Sequence, residues 1–320
     1  MKISVIKRWI LSLVKNRRQH EKMEEKINYL ENKILNLESE KISLINNMGG
    51  GILNKVKKVT PRPFLHGISV HLAEHCNLNC FSCDNFSQLA KEGYYKIEDF
   101  DSDMQKLSDI TNGIVEQFYL VGGEPLLNKN CKDYFYVVRK YFKKSSIWLI
   151  TNGILLPKQD NAFWRACCDN EVTIRPTKYP IKVDWEYIKQ KCKDYNIELS
   201  FFNDENVEKT SFKTALNLKG DSDPFDNFVI CHRANCRIQI NNGIIYPCPV
   251  VANVKYFNEY FNQNLEVSRF DYLKLSDIKH YNDILSFISK PVPFCRYCAI
   301  SKMDTRPWLR SKKSIDEYII

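Results

Sequence analysis

The chain has 320 residues, 44% of them hydrophobic, and 47 Lys and Arg against 38 Asp and Glu give a formal net charge of +9. No apolar run is long enough to span a membrane, and no nucleic-acid-binding module is legible. Twelve cysteines in motif spacing, with no secretory signal, argue against a disulfide framework and for a reducing, cytoplasmic setting.

Residues 1–60 carry thirteen Lys and Arg against six Asp and Glu, so most of the charge belongs to the N-terminal extension and does not describe an active site. Residues 1–22 form a basic amphipathic segment, with Ile3, Ile6, Trp9, Ile10 and Leu13 near one helical face beside Lys2, Lys7, Arg8, Lys15, Arg17 and Arg18. Such a face suits an anionic membrane surface as a peripheral contact, or a helix docked on its own protein. Over 23–48, Ile27, Leu30, Ile34, Leu37 and Leu44 follow heptads that Lys41 interrupts. Isoleucine at a and leucine at d favours a parallel coiled-coil homodimer, and a helix packed on the main domain is the alternative. Gly49, Gly50 and Gly51 open a linker over 49–66.

From residue 67 strand-like and helix-like patterns alternate. Strands are expected at 67–73, 116–121, 147–150, 171–174 and 197–202, with Leu216 to Leu218 as a candidate last strand. Phe100, Met104, Leu107 and Ile110 fall at helical spacing, 134–142 reads as another helix, and Asp184 caps one carrying Tyr187, Ile188, Lys191 and Tyr195. Repeated strand-helix units imply right-handed crossovers and a parallel sheet whose binding groups collect at the carboxyl ends of the strands.

Directly after the first strand come Cys76, Cys80 and Cys83, a C-x3-C-x2-C loop. Three thiolates on one face of a tight loop can hold three irons of a four-iron, four-sulfur cube and leave the fourth open, whereas electron-transfer cubes take four cysteines. A zinc knuckle is the alternative, and it would need His71 or His75 as a further ligand. Some forty residues on, an apolar strand runs into Gly122-Gly123-Glu124-Pro125. The two glycines let the backbone pass close to a ligand, and Pro125 stops the strand. A third strand ends in Thr151-Asn152-Gly153, which also reads as an ordinary turn.

The cysteine loop followed by Gly-Gly-Glu-Pro resembles the radical S-adenosylmethionine (radical SAM) superfamily. The resemblance implies a partial (β/α)6 barrel over 67–230. It also implies a [4Fe-4S] cluster on Cys76, Cys80 and Cys83 whose open iron chelates the methionine part of S-adenosylmethionine, and reductive cleavage of that cofactor to a 5'-deoxyadenosyl radical. It further implies a reducing protein such as flavodoxin or ferredoxin. Gly122, Gly123 and Glu124 would receive the methionine ammonium, and Thr151 and Asn152 would lie near the ribose. Arg175, at the end of the fourth strand, would pair with the cofactor carboxylate or with substrate. The position before the third cysteine, often aromatic in the family, is Ser82 here, so adenine stacking from that position is lost.

Past residue 230 the cysteines cluster again as Cys231, Cys236, Cys248, Cys295 and Cys298. A hairpin turning at Asn242-Gly243 carries the chain to Cys248, and Cys295 and Cys298 form a C-x2-C pair. This layout is similar to the SPASM and shorter twitch extensions, which hold an auxiliary [4Fe-4S] cluster, and the resemblance assigns 231–300 to a small cysteine-rich cluster domain with 301–320 as a tail. Cys231, Cys248, Cys295 and Cys298 are the expected ligands, with Cys236 a nearby free thiol. A structural zinc site of four cysteines is the alternative. Cys131, Cys167, Cys168 and Cys192 fall in helical patterns and read as ordinary thiols. The function expected is an oxidoreductase that abstracts hydrogen from a small substrate, a sugar or cyclitol, in dehydrogenation or epimerisation. A peptide-modifying maturase is the alternative.

Overall fold

The computed structural model describes residues 22, 24–30, 33–34, 51–202 and 209–320. It divides into two units, Met1–Lys57 and Lys58–Ile320. In the first, residues 24–30 are helical, with Ile27 half-buried and Leu30 and Ile34 exposed. The basic segment before residue 22 and the heptad positions Leu37, Lys41 and Leu44 lie outside the described residues. Helix α1 (Gly51–Val59) occupies part of the segment expected as linker. Ile52, Leu53, Val56 and Val59 recur at helical spacing there, and none of its residues is buried. Among the described residues no helix is long and apolar enough to cross a membrane.

The larger unit is a mixed α/β fold built on a sheet with a parallel majority. Strands β1 (Ile68–His71), β2 (Gln117–Val121), β3 (Ser146–Thr151) and β4 (Val172–Pro176) alternate with α2 (Ile97–Thr111), α3 (Cys131–Tyr141) and α4 (Asn161–Asp169). The four strands run parallel in spatial order β4-β3-β2-β1. Their apolar residues face the helices. Ile68, Val70, Phe118, Leu120, Ile147, Leu149 and Ile174 are fully buried against Phe100, Met104, Leu107, Phe135 and Trp164. The alternate positions, such as Ser69, His71, Val121 and Ile150, point to the opposite face, where the cavity described below lies. Asp160 and Asp184 cap α4 and α5 (Trp185–Asp194) by accepting from the amides of Phe163 at 2.7 Å and Tyr187 at 3.0 Å.

Two expected strands differ. The segment 197–202 meets β4 only through a bridge between Ile174 and Leu199 and backbone bonds such as Ser200 N to Ile174 O at 3.0 Å. Leu216 does not extend this sheet. It bridges Cys298 and Ile319 instead, and it is buried with Phe86, Val254, Phe257 and Tyr318 in a second core. The free side of β1 is taken by β6 (Ile238–Asn241), which pairs with it in parallel. β6 turns at Asn242 and Gly243, both at positive φ, into the antiparallel β7 (Ile244–Tyr246), followed by β8 (Leu273–Lys274). The hairpin is as expected, but it continues the main sheet because Ile238, Ile240 and Ile245 are fully buried and belong to the same core as β1. Helices α6 (Pro224–Ile230), α7 (Pro249–Phe261) and α8 (Tyr281–Ile288) complete the unit. The C-terminal β9 (Thr305–Pro307) pairs antiparallel with β5 (Thr210–Phe212).

Candidate active site

β1 runs out of the sheet into the loop that carries Cys76, Cys80 and Cys83. All three cysteines line one cavity of about 220 Å³ at the carboxyl ends of β1, β2 and β3. Burial pushes all three thiols up. At Cys83, beside the Asp84 carboxylate, the value reaches about 12. Thiols that resist ionisation on their own become ligands when a metal takes their charge, so the donor type and shared cavity fit an iron-sulfur cube. Among the described residues no group of three or more His, Cys, Asp or Glu is placed to hold a metal ion. Among the described residues, His71 Nε2 and Ser87 Oγ are buried polar atoms of cavity-lining residues without a hydrogen-bond partner.

The paired glycines are explained by how closely this loop packs on the end of β2. Gly123 N donates to Ala73 O at 2.8 Å and Glu124 N to His75 O at 3.1 Å. A Cβ at Gly122, whose φ is +155°, would stand 2.2 Å from Ala73 O, and one at Gly123 would stand 2.1 Å from His75 O. Backbone cannot yield at such distances, so Gly123→Ala is expected to displace the cysteine loop. Anaerobic reconstitution should then show loss of cluster iron while far-UV circular dichroism stays near wild type.

Glu124 is fully buried and is not among the residues that line the cavity. Its Oε1 accepts from Thr151 Oγ1 at 2.6 Å and Leu126 N at 3.2 Å, and its Oε2 from Asn152 N at 2.8 Å. The carboxylate thus bolts the Gly-Gly-Glu-Pro turn to the Thr-Asn-Gly turn. Asn152 in turn donates to Asn77 Oδ1 at 2.7 Å within the cysteine loop. Burial raises the Glu124 pKa to about 7 although these hydrogen bonds pull it down. A folded-state pKa above the unfolded value contributes stability that is present below about pH 4.5 and lost as the pH rises to about 7. Metal-free wild-type protein is therefore expected to lose on the order of 2–3 kcal/mol relative to Glu124→Gln across that window. Urea unfolding at pH 4.5 and 7 checks this.

Gly122, Gly123, Thr151 and Asn152 line the cavity with the cysteines, but Arg175 does not. Its guanidinium stacks on Trp148, 4.0 Å from the ring centroid, and donates to Ser200 Oγ and Phe202 O, each at 3.2 Å. Sequence reasoning missed the far wall. Tyr179, Arg237, Gln239 and Trp308 also line the cavity, and Trp308 comes from the tail that the sequence left without a role.

Four cysteines of the second set come to one place. Cys231 ends α6, Cys248 precedes α7, and Cys295 and Cys298 flank a short turn. These four line one small cavity, and Cys236 does not. Asn227 holds the Cys-x2-Cys turn by donating to Cys298 O at 2.7 Å and Cys295 O at 3.2 Å. Burial, with the neighbouring cysteines adding to it, pushes Cys248 to about 11, Cys295 to about 12 and Cys298 well up. The two sets are joined by an ion pair between the buried Arg233 and the half-buried Asp84. Arg233 Nε and Nη2 donate to Asp84 Oδ2 at 3.1 and 2.9 Å. Asp84 follows Cys83 directly, and Arg233 lies two residues after Cys231. Burial works against the Asp84 charge, but Arg233 outweighs it and holds the carboxyl below its usual range.

Residues 67–191 match the family model of the 4Fe-4S single cluster domain, and the Cys76/Cys80/Cys83 loop with its docked glycine pair lies within them. A [4Fe-4S] cluster is the cofactor that this family model describes. No curated protein matches the chain. Solved structures similar to it include BtrN in complex with AdoMet and 2-DOIA, at 14% identity and a TM-score of 0.48 over 82% of this chain and 100% of that one. Native anSMEcpe with bound AdoMet aligns at 22% identity and a TM-score of 0.35, over 42% of each chain. Streptococcus suis SuiB bound to precursor peptide SuiA aligns at 15% identity and 0.37, over 80% of this chain and 76% of that one.

Proposed function

We propose that this chain is a radical SAM enzyme, with a [4Fe-4S] cluster and S-adenosylmethionine as cofactors, that dehydrogenates or epimerises a small hydroxyl-bearing substrate, a sugar or cyclitol, within a partial (β/α)6 barrel. The observation that carries the proposal is the cavity in which Cys76, Cys80 and Cys83 meet the polar side chains of Ser69, His71, Arg237 and Gln239. When bound, the reduced cluster supplies the electron that cleaves S-adenosylmethionine and so generates the hydrogen-abstracting radical. Cys76, Cys80 and Cys83 hold that cluster. Gly122 and Gly123 present their backbone to the methionine, and Thr151 and Asn152 border the ribose. Glu124 shapes this wall from behind. Assigning its carboxylate to the ammonium requires it to turn from Thr151 and Asn152. Arg175 contributes to cofactor or substrate binding only if its guanidinium leaves Trp148.

His71 Nε2 and Ser87 Oγ are the unpartnered groups available to substrate hydroxyls, because a buried polar atom without a partner costs free energy that a ligand can recover. Cys231, Cys248, Cys295 and Cys298 are the residues that would hold an auxiliary [4Fe-4S] cluster, which would supply an electron acceptor if the net reaction is an oxidation. The first electron comes from a flavodoxin- or ferredoxin-like protein in the cytoplasm. The N-terminal heptads dimerise the chain, and its basic end touches anionic membrane. Mass analysis of anaerobic reactions with a panel of cyclitols, amino sugars and peptides tests the reading. A ketone or epimer from a polyol is the expected product, and modification confined to a peptide would assign the chain to the maturases.

A further inference from the structure

Ser82, the residue before the third cysteine, lines the cavity, but its hydroxyl is engaged by Thr214 and it carries no ring. Ser82 is buried at positive φ. Its hydroxyl accepts from Thr214 N at 2.7 Å, and its carbonyl accepts from Thr214 Oγ1 at 3.0 Å. Facing the same loop from the other side is the C-terminal tail. Phe81 N donates to Leu309 O at 2.9 Å and Ser311 N to Asn79 O at 3.0 Å, so the tail forms a short antiparallel ladder on the cysteine loop. Glu317 locks it there by accepting from Ser311 Oγ and Lys312 N, both at 2.6 Å. Between these ties, Trp308 Nε1 lies 3.3 Å from Cys80 Sγ. The indole lines the cavity and meets the Tyr179 ring edge-on at 5.9 Å.

We propose that Trp308 is an aromatic wall of the S-adenosylmethionine site: its N–H holds the Cys80 sulfur, and its ring forms the surface on which adenine rests. The proposal rests on the radical SAM assignment. Two physical effects follow from one side chain. An N–H donated to a cluster thiolate offsets charge on the reduced cluster and raises its potential. An aromatic face stacks on a nucleobase whatever its edge pattern. Neither effect is available from Ser82.

Three substitutions separate the two effects. Trp308→Phe keeps a ring but loses the donor, so the Cys76/Cys80/Cys83 cluster should titrate at a more negative potential, with S-adenosylmethionine affinity within about twofold of wild type. Trp308→Ala should show the same potential shift and a loss of S-adenosylmethionine affinity of about tenfold or more. Trp308→Leu, which keeps apolar bulk beside the loop, should behave as Trp308→Ala. Anaerobic equilibrium dialysis and redox titration followed by electron paramagnetic resonance give the readouts, and iron content checks that each variant keeps its clusters. Methionine, which lacks adenine, should perturb the resonance of the reduced cluster equally in wild type and Trp308→Ala. Wild-type affinity and potential in iron-replete Trp308→Ala and Trp308→Leu would overturn the proposal while leaving the radical SAM assignment intact. Failure of the wild-type protein to bind S-adenosylmethionine would strike that assignment, and the proposal with it.

Discussion

Replacing Cys76, Cys80 or Cys83 by alanine is expected to abolish formation of 5'-deoxyadenosine and to lower the iron content from about eight to about four per chain, four per cube. On the proposed reading each thiolate holds one iron of a cube that already lacks a fourth protein ligand, so two remaining cysteines would not retain it. The second cysteine set should survive, because its cavity is built from α6, α7 and the turn around Cys295. Iron analysis and product quantification after dithionite reduction give the measurement. Undiminished 5'-deoxyadenosine in any one of these variants would reject the assignment of that cysteine.

The double variant Cys295→Ala with Cys298→Ala is expected to do the reverse. It should also fall to about four irons, yet still form 5'-deoxyadenosine, because the first cysteine loop and its docked glycines are untouched. Oxidised product should disappear, since the substrate radical then has no nearby acceptor for its second electron. Stoichiometric zinc in wild-type protein isolated anaerobically would instead make the four cysteines a structural clasp. Oxidised product formed at the wild-type rate by the double variant would remove the second set from the chemistry. The Asp84–Arg233 pair makes one control necessary. Removing one partner of a buried pair costs about 3–5 kcal/mol, so damage that spread from the second set through Arg233 would appear as loss of the first cluster too.

The sequence by itself determined the features that depend on neighbours in the chain. The Cys76/Cys80/Cys83 spacing defines a loop of fixed reach, and the Gly122-Gly123 pair marks a close backbone approach. The Asn242-Gly243 dipeptide sets a hairpin turn. Alternating apolar residues placed β1 to β4, because a period of two or of 3.6 is a local consequence of backbone geometry. The tertiary structure alone decided which distant groups meet. Leu216 is as apolar as any strand residue, but it pairs with Cys298 and Ile319 instead of the main sheet. Glu124 carries the motif's carboxylate, but Thr151 and Asn152 take up its oxygens behind the cavity wall. Arg175 stands at the strand end where sequence put it, but the face of Trp148 holds its guanidinium. Trp308 reaches Cys80 across 228 residues of chain. A contact of that separation is set by the packing of the whole unit, and it leaves no periodicity, spacing or composition for the sequence to show.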